Sequence, residues 1–237
     1  MLSLFSKPVI VDCYTDSPYA FEYAKPAKAA EFAPKWWKSL PKDDKPNMSR
    51  CAGMIDLYRK AFVLPMWSEL DVSFNSDGSY NWQYADKLSE AEVHDPDQYA
   101  GWASESNAEH LKLDSPWYFF CKEDVYFQWT SATWSQDDIF EYLSVPATVE
   151  YKYQNATNVN LMLAKRNEKI NIPLGRPLVF ITPLTERKVV FRTHLIPHDE
   201  LQKKKALFPP VALGKYFALR KILKQREPKC PFGFGKK

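Results

Sequence analysis

Along most of the first two hundred positions apolar residues alternate with polar ones, the two-residue period of half-buried strands rather than the 3.6-residue period of helices. Leu70, Val72 and Phe74 alternate with polar neighbours, Asn75-Ser-Asp-Gly78 supplies a turn, and Tyr80, Trp82 and Tyr84 alternate on the return. This predicts a hairpin with one apolar, aromatic face, inside a span (54–84) that reads as β throughout. Residues 117–121 and 125–130 predict a second hairpin around Lys122-Glu-Asp124, and their nearly continuous aromatic run predicts burial on both faces. Further strands are expected at 147–153, 159–164, 169–172, 177–184 and 188–196. Arg166-Asn-Glu168 turns one pair, and Gly175, between Pro173 and Pro177, turns the next. Residues 9–13 are expected to form an edge strand.

Helical signals are short. Pro26 opens a stretch over 27–40 that Pro41 closes and Pro34 interrupts, so two brief turns are expected rather than one straight helix. Trp36 and Trp37 lie side by side within it. Adjacent helical residues diverge by about 100°, so both rings pack inward only in a groove between other elements. That predicts a clamp across the β core, with an aromatic ligand-stacking platform as the alternative. Ser89 with Glu92 forms a capping box, Asp95-Pro96 can start another helix, and Asp137-Asp138 suits a helix start before 139–143. After Pro209-Pro210 the period changes: Val211, Leu213, Tyr216, Phe217, Ile222 and Leu223 gather on one side of a helix that Pro228 stops. The fold expected is mainly β, a two-sheet β-sandwich or jelly-roll-like domain with short peripheral helices (1–200), followed by a basic C-terminal amphipathic helix and tail (201–237).

Composition agrees with short strands joined by stiff loops: of 237 residues 15% are aromatic, and 18 Pro stand against 7 Gly. Charge changes the picture more. Residues 201–237 carry eleven Lys or Arg against one acid, Glu227, a balance of +10, while residues 1–200 carry −7. Seventeen acids against three bases fall between Met66 and Glu150. A chain so polarised either folds its cationic end back on its own anionic body or presents it to an acidic partner. The candidate docking residues are Lys203, Lys204, Lys205, Lys215, Arg220, Lys221, Lys224 and Arg226, with Trp36 and Trp37 as a candidate aromatic groove. A protein partner or a second copy of this chain is the expected counterpart. Nucleic acid is an alternative through the basic, aromatic tail, and a membrane surface ranks below both.

Catalytic patterns do not assemble. His94, His110, His194 and His198 are the four histidines, and Pro197 between the last two removes helical ligand spacing. His198-Asp-Glu200 has the H-x-E start of an iron-binding triad but no later His to complete it. Cys13, Cys51, Cys121 and Cys230 are scattered without a C-x-x-C pair, which predicts reduced thiols in a cytosolic chain rather than a zinc site. Glycine-rich phosphate cradles and a G-x-S-x-G elbow are absent. The N-terminal apolar stretch is too short for a signal peptide, no run is long enough to span a bilayer, and the Asn47 and Asn155 sequons are read as accidents. No catalytic residue, metal site or cofactor is therefore assigned.

Several segments taken together, Phe32-Ala-Pro-Lys-Trp-Trp-Lys-Ser-Leu-Pro41, Phe62-Val-Leu-Pro-Met-Trp67, Asp77-Gly-Ser-Tyr-Asn-Trp82, Ser115-Pro-Trp117, Ile172-Pro-Leu-Gly-Arg-Pro177 and Thr193-His-Leu195, resemble an uncharacterised protein family encoded by tailed phages of marine bacteria, notably cyanobacterial phages. The resemblance spans roughly residues 9–200 and implies a phage gene product made in the host cell cytoplasm, either free or virion-associated. It carries no activity to any position. The strands over 159–184 are also similar to the β-clip fold of trimeric deoxyuridine triphosphatases. Their Gly, Asp and Tyr segment corresponds here to Val145-Pro-Ala-Thr-Val-Glu-Tyr151, which lacks the Gly and Asp, so only a fold analogy survives. The expected function is a non-enzymatic structural or accessory protein whose basic C-terminal helix docks on an acidic surface. An enzyme of β-clip or cupin-like type, acting on nucleotides or through a bound metal, is the rival, and a host-interacting phage protein is the third reading.

Overall fold

The computed structural model describes residues 7–41, 47–75, 79–86, 89–93, 108–136, 141–164, 169–206 and 215–226. The fold is mainly β, sandwich-like, with short helices. In chain order the strands are β1 (Val9–Thr15), β2 (Ala27–Lys28), β3 (Phe62–Pro65), β4 (Leu70–Phe74), β5 (Tyr80–Tyr84), β6 (Glu90–Val93), β7 (Ala108–Asp114), β8 (Tyr118–Cys121), β9 (Phe127–Ser131), β10 (Tyr142–Ser144), β11 (Ala147–Val149), β12 (Val159–Ala164), β13 (Lys169–Ile172), β14 (Pro177–Pro183) and β15 (Val189–Leu195). The α-helices are α1 (Pro18–Tyr23), α2 (Lys35–Lys38), α3 (Ala52–Lys60), α4 (His198–Ala206) and α5 (Lys215–Arg226).

Among the described residues four hydrogen-bonded sheets surround a principal core, with strand orders β15-β1-β8, β10-β12-β7-β6, β11-β9-β14-β3-β2 and β13-β4-β5. Each contributes its inward-facing alternate residues: Val11 from the first, Leu111 and Leu161 from the second, Leu64 and Phe127 from the third, Val72 and Ile170 from the fourth. Phe191 on β15 knits two sheets together, stacked on Phe62 at 3.8 Å between centroids and edge-on to Phe119. A smaller core under α3 holds Ala29, Tyr58, Val63, Ala132 and Phe180.

Strands read from strict alternation stand where expected, among them β4, β5, β12, β13, β14 and β15. The β4–β5 hairpin sets Leu70 opposite Tyr84, Val72 opposite Trp82 and Phe74 opposite Tyr80. Gly175 occupies the left-handed region at φ 79°, and the Gly175 N–H donates to the Met66 carbonyl at 2.8 Å, fixing the approach to β14. Over 27–40, a 3-10 turn (Ala29–Phe32) and α2 replace a straight helix, with β2 in front of them.

Other elements differ from expectation for physical reasons. β1 is a central strand, parallel to β15 and antiparallel to β8; partners more than a hundred residues away leave no local trace. β8 and β9 are not a hairpin, because β8 joins β1 whereas β9 lies between β11 and β14. Their aromatics alternate instead of burying both faces: Trp117, Phe119, Phe127 and Trp129 are buried, and Tyr126 is exposed. β12 and β13 likewise belong to different sheets. The start of the span read as continuous β is α3. Ser89 begins no helix: its N–H and its hydroxyl both donate to Asp86, at 2.7 Å each, and β6 follows. Tyr142–Ser144 is strand β10 within what was expected to be a helix. The helix expected after Asp95 and the turn at Arg166 lie outside the described residues.

Candidate docking helix and its seat

Helix α5 rests on the β body through a cation. Arg220 places Nη2 2.6 Å from Glu150 Oε2; Glu150 is 1% exposed and Arg220 19%. Arg220 also donates to the Tyr126 hydroxyl, and its guanidinium lies 5.2 Å from the Tyr126 ring centroid and 5.9 Å from that of Tyr153. Lys224, one turn on and therefore on the same helical face, sits 5.8 Å from the Tyr153 ring. A planar, delocalised cation held between two rings over a buried carboxylate is a site suited to Arg rather than Lys.

The seat is built by the turn after β11. Tyr153 and Gln154 N–H groups donate to the Glu150 carbonyl, each at 3.0 Å, and Tyr151 points into the core, where its hydroxyl accepts from Trp129 Nε1 at 2.8 Å. With Tyr151 committed inward, Glu150 is left on the other side under α5. Burial raises the Glu150 carboxyl above the ordinary range; Arg220, Lys224 and Lys152 oppose that shift and Asp124 adds to it. Burial wins, so the ion pair offsets the desolvation of Glu150 only in part.

Within the expected apolar stripe the described side chain is that of Ile222. Ile222 is 44% exposed, and Ala218, Lys221, Lys224 and Gln225 are exposed as well. The side chains of Lys215, Tyr216, Phe217, Leu223 and Arg226, and all of Val211 and Leu213, lie outside the described residues.

Lys203, Lys204 and Lys205 belong to a second helix, α4, which begins at His198, so the junction at residue 200 runs through a helix. Leu201, buried, pins α4 to the body. Asp199 and Glu200 in its first turn and the three lysines in its last complement the helix dipole. Lys203 Nζ is 3.3 Å from Asp199 and Lys204 Nζ 3.9 Å from Glu200. Lys204 also covers the Tyr14 ring and Lys205 the Tyr118 ring, at 4.3 and 4.5 Å. Exposed pairs of this kind contribute about 0–1 kcal/mol each, so these lysines are loosely held.

Trp36 and Trp37 meet edge-on, 5.8 Å between ring centroids, and each has a further aromatic neighbour. Trp37 packs on Tyr58 at 5.2 Å beside the smaller core, whereas Trp36 meets Trp134, itself exposed, at 6.1 Å. The clamp reading fits Trp37, and Trp36 with Trp134 forms a small surface aromatic patch. The seat residues Glu150, Tyr126 and Tyr153 were not among those singled out from sequence; the one signal was an acid between Val149 and Tyr151 in an otherwise apolar stretch.

His194 and His198 are engaged in hydrogen bonds on the surface of the body. His194 Nε2 lies 2.9 Å from Asp12 and stacks on Tyr14, and His198 Nδ1 lies 2.6 Å from Asp16. His94 is outside the described residues. Among the described residues no three His, Cys, Asp or Glu side chains are grouped to hold a metal ion, and no helix is long and apolar enough to cross a membrane. Cys13 and Cys121 are buried free thiols whose pKa values burial raises. No protein-family model matches the chain, and no curated protein matches it.

Proposed function

We propose that this chain is a non-enzymatic structural or accessory protein of a tailed phage, and that α5 is a docking ridge for an acidic surface on a protein partner or on a second copy of itself. One observation carries the reading: Arg220 anchors α5 to Glu150 while Lys221, the next residue on the helix, remains exposed. Anchoring sets the orientation of the ridge in advance, so less ordering has to be done on binding. The anionic span between Met66 and Glu150 supplies complementary charge for self-association. The phage origin rests on the family resemblance.

The test is sedimentation velocity of the full chain, together with fluorescence anisotropy against labelled poly-glutamate and against a DNA duplex, at about 50 mM and about 500 mM salt. Self-association or poly-glutamate binding that is lost at the higher salt and in a Lys221→Glu variant supports the reading. Binding to neither, binding that the variant retains, or a preference for DNA overturns it.

A further inference from the structure

We propose that the cleft between β2, the end of α3 and the β14–β15 connection binds the phosphate group of a small molecule, a phosphomonoester or phosphate itself. Its volume is about 450 Å³, within the range of small-molecule sites. Lys28, Arg59, Lys60, Arg187 and Lys188 line it, and Glu186 is the acid among the described residues of its wall.

The five cations fall into two sets. Arg59 and Lys60 share Asp56, at 2.9 and 3.4 Å, and Arg187 is held by Glu123 at 3.0 Å and by the Lys7 carbonyl, to which Nε and Nη2 donate at 3.0 and 2.7 Å. Lys28 and Lys188, by contrast, have no carboxylate at ion-pair distance among the described residues. Lys28 is half-buried, with Nζ 3.8 Å from the centroid of the Phe62 ring and 3.5 Å from the Lys60 carbonyl. The second contact covers the C-terminal end of α3, whose partial negative charge would otherwise oppose an anion. Burial lowers the Lys28 pKa and the charge of Lys188 lowers it further, so two cations stand here in mutual repulsion. An anion bound between them removes that repulsion and answers both charges.

The charge left over selects the ligand. A single carboxylate answers one lysine and leaves the other, whereas a phosphate monoester carries about −1.5 to −2 near pH 7 on three acceptor oxygens and matches the pair. Arg187, fixed by its three hydrogen bonds, gives the site a rigid positive wall at no further ordering cost. A nucleic-acid strand is a poorer fit, because no aromatic ring stands among the described residues of the wall to stack a base. Pro183 and Thr185 offer a neutral surface to the organic part of an ester.

The experiment is calorimetry and saturation-transfer NMR on the full chain with inorganic phosphate and ribose 5-phosphate, and with ribose, poly-glutamate and a DNA duplex as comparators, at about 50 mM salt. Saturable binding of phosphate or its ester is expected, at least about tenfold weaker in Lys188→Gln and in Lys28→Gln, with none of ribose. Tighter binding of the ester assigns the site to a phosphomonoester, and equal affinities assign it to phosphate. Lys188→Gln changes an exposed position, and circular dichroism identifies misfolding in Lys28→Gln. No saturable phosphate binding, affinity unchanged in the folded variants, an equal loss in Lys203→Gln on α4, or displacement of the ester by the duplex overturns the proposal. Lys221→Glu is expected to keep phosphate binding and Lys188→Gln to keep poly-glutamate binding, so the failure of either proposal leaves the other standing.

Discussion

Replacing Arg220 by Met keeps side-chain length and removes the charge opposite Glu150. Leaving one member of a fully buried pair typically costs about 3–5 kcal/mol. Here the anion is enclosed but the cation is partly exposed and sits on the last described helix, so α5 can lift and admit water to Glu150. That caps the loss, and about 2–3 kcal/mol is expected near neutral pH, equivalent to about 4–12 °C in Tm for a chain of this size. The pH dependence follows from the Glu150 carboxyl. Its pKa in the fold already lies above the ordinary Glu value because burial outweighs Arg220, Lys224 and Lys152. The ionised group therefore lowers stability as pH rises from the ordinary value through the raised one. Without Arg220 the folded pKa moves higher still, so Arg220→Met should lose little below the ordinary Glu range and reach its full cost only above the new value. Glu150→Gln removes the buried charge, and Arg220→Met in that background should cost clearly less than in the parent. Urea unfolding of all four species from pH 4 to 8 gives the cycle. A loss below about 0.5 kcal/mol that is flat in pH, with no coupling between the two sites, would refute the buried-charge account.

Gly175→Ala should cost about 1 kcal/mol through backbone strain alone, since φ is 79° and an added Cβ meets nothing within 4 Å; chemical denaturation measures it. Thr157→Val removes the 2.6 Å bond from its buried hydroxyl to the Trp117 carbonyl and should lower stability by about 1–3 kcal/mol, read from the urea midpoint at constant m. Leu161→Ala, fully buried between β10 and β7, should lose about 2–5 kcal/mol, and a loss under 1 would mean the site collapses around the deletion.

Strand positions were legible because alternation is a local property: β12 and β13 stand at the very residues that the apolar periodicity marks. Pairing was not, since it depends on partners far along the chain. Val9 meets Val189, and nothing around Val9 announces a parallel neighbour. The aromatic run from Trp117 misled for a related reason: Tyr118 and Phe120 are half-buried on the outer face, where Lys205 covers Tyr118 and Tyr14 meets Phe120 edge-on at 5.5 Å. Aromatic density alone cannot separate that arrangement from two-sided burial. Helices α1 and α3 escaped notice because each is brief, and α3 follows a cap at Cys51 without a side-chain hydrogen bond.

The C-terminal charge shows how far polarity reads through to structure. Two destinations were open to the C-terminal cations, the body or a partner, and among the described residues Arg220 is turned to the body while Lys221 is left exposed. Arg220 goes inward, because a carboxylate at 1% exposure needs a counter-charge and the Tyr126 and Tyr153 rings favour a guanidinium. Lys221, one residue on and about 100° round the helix, faces solvent for the same geometric reason. Inward fixation of one cation is what orients its neighbours outward, so self-packing and docking are not rivals on this helix. It follows that Arg220→Met should weaken poly-glutamate binding although Arg220 itself is covered, and the Lys221→Glu variant should do so while leaving the Arg220–Glu150 contact in place. Equal binding by Arg220→Met and the parent would separate the two roles and remove pre-orientation from the argument.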